Sequence, residues 1–142
     1  MFEKKEIKEG KLNEKDVGYL SDAFFSLCQS CGYESHVFDD FRSNPNKENL
    51  ERYNKARRRR TILMENILEH TGANLINEQW CELKHLCTIA MGIQELVARN
   101  SMLGNLKEAS ELVNIHKEIY LEFLIILGVN ENNINENSPT SA

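Results

Sequence analysis

Apolar residues recur at spacings of three and four in four stretches of the chain, the mark of amphipathic helices. The first, Val17, Leu20, Phe24, Leu27, Cys28 and Cys31, predicts a helix over residues 13–32, capped by Asn13 and closed by Gly32. The second, Leu50, Tyr53, Ala56, Leu63, Met64, Ile67 and Leu68, predicts a helix over 44–72. Asn44 suits its cap, Pro45 its first position and Gly72 its stop. Trp80, Leu83, Leu86, Cys87, Ala90, Ile93 and Val97 define a third over 78–100, with Asn77 as cap and Ile76 as a staple. Ala109, Leu112, Val113, His116, Ile119, Tyr120, Phe123 and Leu127 define a fourth between Gly104 and Gly128, with Asn105 and Glu108 as a capping pair.

Residues 33–43 carry Glu34, Asp39 and Asp40 close together and read as a connection, in which Val37, Phe38 and Phe41 make one short turn. No stretch alternates as a strand does, and no repeat is visible. The expectation is an all-α protein: an antiparallel four-helix bundle with a long, acidic crossing between helices one and two. The bundle should occupy residues 13–129, between a charged N-terminal arm (1–12) and a polar, disordered tail (130–142). Helix four is apolar over most of its circumference after Glu118 and is expected to be the most enclosed helix, or to lie in a subunit interface.

Charge changes this picture at one place. The 142-residue chain has a net charge of −5, which argues against a generally basic nucleic-acid binder. Residues 47–60 nevertheless hold seven basic and two acidic residues, a local +5, which leaves −10 for the rest. Four consecutive arginines, Arg57 to Arg60, stand at the centre of the second helix. An α-helix turns about 100° per residue, so they cannot share one face. Arg60 falls near the middle of the apolar stripe and Arg57 on its flank, while Arg58 and Arg59 point away.

No aspartate or glutamate lies three or four residues from any of the four arginines. The acids of helices three and four all project off their apolar stripes. An inward Arg60 therefore needs a carboxylate from elsewhere, because an unpaired buried guanidinium costs several kcal/mol. One reading has Arg57 and Arg60 reach the bundle edge and pair with Glu34, Asp39 or Asp40. A second has them hold an anionic ligand, a nucleotide or RNA phosphate, beside Tyr53, His116 and Gln94. An acid on a second subunit is the third.

The remaining candidates point to structure more than to chemistry. His116, on the fourth helix's apolar stripe, has no nominated acid or nucleophile and reads first as a core histidine. Cys28, Cys31, Cys81 and His85 could make a Cys3His zinc set, but Cys28, Cys31 and Cys87 project inward as small hydrophobes do. Glu82 and His85 match half of a di-iron carboxylate motif whose other half is missing. No cofactor or metal is expected, and no catalytic residue is assigned. The Arg99–Asn100 step resembles the start of the signature of helical HEPN ribonucleases, an Arg, commonly followed by Asn, with a His four to six residues on. The window here holds Leu103, Gly104 and Asn105, so the resemblance implies at most a degenerate, non-catalytic relative.

The longest apolar run, residues 120–129, is broken by Glu122 and is short of the ~20 residues a membrane span needs. No targeting segment is visible, and four cysteines without a signal peptide suggest a reducing, cytoplasmic setting. The sequence thus predicts a non-enzymatic interaction or regulatory protein that associates with itself or another protein, with anionic-ligand binding as the alternative.

Overall fold

A computed structural model describes residues 14–129, with side chains from Gly18 onward. The arm expected over 1–12, the Asn13 cap and the tail expected over 130–142 lie outside the described residues. Four helices account for nearly all of it: α1 (Glu14–Ser43), α2 (Lys47–Thr71), α3 (Asn77–Met102) and α4 (Leu106–Ile126). Among the described residues there is no strand. Short links make the helices alternate in direction, as an antiparallel bundle requires.

The long acidic crossing expected after Gly32 does not exist. α1 runs unbroken through it for 30 residues, about 45 Å. The physical reason lies in two residues. Gly32 marks a close approach of helices, since a Cβ there would stand 2.6 Å from Met91 Cγ on α3. Glu34 occupies a core position, so the buried series Leu27, Cys28, Cys31, Glu34, Val37 continues through it at helical spacing. An acid in that series hides the helix from a hydrophobic pattern.

α1 ends where Pro45 forbids its continuation, because proline disfavours helical backbone in the residue before it. The cap of α2 is Asn46 rather than Asn44, and its side chain accepts from Asn49 N at 2.8 Å. Gly72, at φ 73°, stops α2 and donates to Leu68 O at 2.8 Å, the left-handed cap that glycine adopts without strain. Ile76, not Asn77, holds the cap position of α3, and Gln79 Oε1 accepts from its N–H at 3.0 Å. Asn105 does precede α4, but its side chain makes no capping bond.

Two helical hairpins, α1–α2 and α3–α4, supply the most extensive contacts, and α1 joins them by packing along α3 and, more briefly, against α4. The core is built around Phe24, Leu27, Met64, Ile67, Leu68, Leu83, Cys87 and Phe123, all fully buried. α1 is therefore the most enclosed helix, and the expectation that α4 holds the bundle centre is corrected: within α4 only Ile119, Phe123 and Leu124 are buried. No helix among the described residues is long and apolar enough to cross a membrane.

Burial also has a boundary. From residue 94 to residue 118 not one side chain is buried. Over most of that span α3 and α4 face each other; His116 still packs on Phe24 and Phe25 of α1, and it is the turn end of the α3–α4 hairpin that is left exposed.

Candidate functional site

Arg60 is where the pattern of the sequence and the geometry meet. Its side chain lies inside, and Nε donates to Glu34 Oε1 at 2.6 Å. The other carboxylate oxygen, Oε2, faces Lys84 Nζ of α3 at 3.7 Å. One buried carboxylate thus ties α1 to α2 and α3. The first contact is a charge-assisted hydrogen bond between two nearly buried groups. The second is looser, at the edge, where a lysine can keep its ammonium in water.

The other two candidate partners of Arg60 are engaged elsewhere. Asp39 accepts from Arg42 at 2.6 Å. Asp40 accepts from Arg52 at 3.2 Å and lies 3.7 Å from His36. Arg52 is thereby drawn across to α1, beside Tyr33, rather than to Glu48 on its own helix.

The five residues proposed for an anion site do not converge. Arg57 lies over the ring of Tyr53, 5.7 Å from its centroid, and Phe38 of α1 adjoins the same ring at 5.5 Å. His116 is distant from that group. Its ring stacks on Phe25 at 5.8 Å and meets Phe24 edge-on at 5.7 Å. Phe24 precedes Glu34 by ten residues on the same helix, about 15 Å along its axis. Gln94 is exposed on α3, above the last buried layer.

His116 belongs to an aromatic cluster whose hub is Phe24, with Tyr120 at 4.9 Å and Phe123 at 5.0 Å. Burial there lowers its pKa from the usual 6.5. The unfolded chain then takes up a proton below pH 6.5 before the folded one does, so the contribution is complete above that value and is lost as pH falls through the folded pKa. Urea midpoints measured from neutral pH down to about pH 5 should decline by a small amount that His116→Phe abolishes. A midpoint independent of pH over that range, in the wild type, would contradict the assignment.

None of the four cysteines is in a disulfide, and Cys28, Cys31 and Cys87 are buried. Burial pushes Cys31 up to about 11, against opposing pulls from Thr88 and Arg60. A hydrogen bond with Cys28, with burial added, raises Cys87. Cys81 is exposed on α3, with His85 one turn on, away from that buried trio. The zinc set sketched from sequence is therefore not assembled, and no group of three metal-binding side chains forms among the described residues. A groove of about 620 Å³ between α1 and α3, lined by Gln29, His36, Thr88 and Glu95 among others, brings no such group together either. At the end of α3, Arg99 is exposed and Asn100 is spent on its own helix, donating to Leu96 O at 3.0 Å.

Three features escaped the sequence reading. Lys84 completes the Glu34 bridge; an alternation pattern gives no signal for it. Phe38 and Tyr33 stand beside the basic helix only because α1 continues past Gly32. The third is the outstanding hairpin, whose turn exposes Met102, Leu103 and Leu106 at 88%, 79% and 78%. Leu96 on α3 and Leu103 at its C-terminal cap are seven residues apart, as Leu106 and Val113 are on α4, and all four are exposed. Seven-residue spacing keeps side chains on one side of a helix, and that signal was present in the sequence.

Compared with protein families, with curated proteins and with solved structures, the chain finds no match in any of the three.

Proposed function

We propose that the protein works by contact with another protein rather than by catalysis, and that the α3–α4 hairpin makes the contact. The observation that carries this is the absence of any buried side chain over residues 94–118, together with leucines and a methionine left in water at the turn. Solitary exposed leucines are ordinary, but a group of them at the end of an unpartnered helix pair marks an interaction surface. The reading carries with it a cytoplasmic setting, consistent with four cysteines outside any disulfide. The rival, a phosphate held by Arg57 and Arg60, has weaker support, because Glu34 engages Arg60 and the other nominated residues lie apart.

A photo-crosslinker placed at Met102, in the cells that make the protein, tests the proposal. One discrete adduct is expected, and it should vanish when Leu103 and Leu106 are both changed to Glu. No adduct, or a smear unaffected by those changes, would remove the hairpin from consideration.

A further inference from the structure

The outward sides of α2 and α4 carry complementary rows. On α4, Glu108, Glu111, Ile115, Glu118 and Glu122 follow one another at spacings of three and four, and all are exposed. On α2, Lys55, Arg58, Arg59 and Ile62 occupy positions i, i+3, i+4 and i+7 of one side over a shorter length, and all are exposed. Among the described residues none of these seven charged groups forms an ion pair. Each row has a single apolar residue, Ile62 at 58% and Ile115 at 46% exposure.

Within one molecule the rows cannot satisfy each other. α2 packs on α1, α4 packs on α3, and α2 makes no extensive contact with α4. From this we infer that the hairpin's partner is a second copy of this chain, with the glutamate row of α4 lying along the basic row of α2. The inference rests on the reading of the hairpin as the docking element and names what docks there.

Ile62 against Ile115 sets the register. With that pair in contact, Lys55, Arg58 and Arg59 reach glutamates whichever way the helices run, since acids flank Ile115 on both sides. A two-fold axis makes the contact twice, α2 on the partner's α4 and α4 on the partner's α2, which closes a dimer. A polyanion such as RNA would also suit the basic row, but it leaves the glutamate row without a role and is repelled by a chain of net charge −5. An interface held by exposed charges around two isoleucines is small and sensitive to salt.

Charge exchange on the full-length protein is the test. Arg58→Glu/Arg59→Glu reverses the α2 row, and Glu108→Arg/Glu111→Arg/Glu118→Arg/Glu122→Arg reverses the α4 row whichever way the helices run. All six are exposed positions, and circular dichroism checks that both variants fold. By sedimentation equilibrium the wild type should dimerise at low salt and weaken about tenfold or more toward 0.5 M salt. Each variant alone should be monomeric, and an equimolar mixture should restore the dimer, because both contacts of the mixed pair are again of opposite charge.

A wild type that stays monomeric at high concentration and low salt would overturn the inference. So would variants that associate like the wild type, or a mixture that stays monomeric. Salt-sensitive binding of a single-stranded oligonucleotide, lost on reversal of the α2 row while no dimer forms, would assign that row to a polyanion instead. A photo-crosslinker at Ile115, inside the glutamate row, separates the two proposals. An adduct of twice the chain mass agrees with self-association, whereas an adduct with a different protein keeps the hairpin's role and removes the second copy.

Discussion

Arg60→Met should destabilise the protein by about 3–5 kcal/mol, the range for removing one partner of a buried ion pair. The loss comes less from the bond itself than from what remains. Glu34 would stay buried, with only Lys84 at 3.7 Å and no guanidinium at 2.6 Å. Methionine fills much of the space of the arginine stem, so cavity formation adds little. Glu34→Gln should cost less, because a neutral amide can still accept from Arg60 Nε. The decisive variant is the double one, Glu34→Leu/Arg60→Met. If the single losses come from an orphaned charge, the double should be more stable than Arg60→Met alone. Urea unfolding of the wild type, Glu34→Leu, Arg60→Met and the double variant gives the coupling directly. Additive losses would show that the pair is not a unit. Folded domains are stable by only about 5–15 kcal/mol, so Arg60→Met alone brings this one near the limit.

Phe24→Ala is the second large effect, again about 3–5 kcal/mol. Phe24 is fully buried and touches Phe25, His116, Tyr120 and Phe123, with ring centroids 4.9–5.7 Å apart. Those partners come from both ends of the chain, so their collapse into the cavity would be partial. The variant also has a signature that a general loss of packing lacks. Water admitted beside His116 relieves the burial that lowers its pKa, so the imidazole should titrate closer to 6.5. Proton NMR of the histidine ring, compared with Phe123→Ala, reads this. An unchanged titration would mean that the ring is shielded by other neighbours.

Both effects show what the sequence could and could not disclose. The three-four spacing located every helix, and Gly72 and Gly104 stop α2 and separate α3 from α4 as read. Arg60 was conspicuous because a guanidinium fell on an apolar stripe, and Glu34 was among the three acids named for it. Their arrangement was not legible. A pattern that scores polarity treats a buried glutamate as loop, so the residue that satisfies Arg60 also concealed the helix carrying it. Placing His116 and Gln94 beside Arg60 supposes that helices two and four run up from the same end. In the fold His116 packs on Phe24 and Phe25, near the start of α1. Where packing ends and the α3–α4 hairpin continues alone depends on the relative displacement of the helices, which no single helix encodes.

The order of the two hairpins along the chain has a consequence during synthesis. Only Gly72 and the few residues up to Ile76 lie between them, and α1 lies against both. Once α2 has emerged from the ribosome, Glu34 and Arg60 can meet, and the first hairpin can close on contacts near in sequence. Its other apolar side cannot be covered yet. Phe24 must wait for His116, Tyr120 and Phe123, and Cys28 for Cys87. The nascent chain therefore passes through an interval in which its most buried helix is open along one side. In that interval, before α3 and α4 arrive, it is most exposed to chaperones, to oxidation of Cys28 and to association with other unfinished chains.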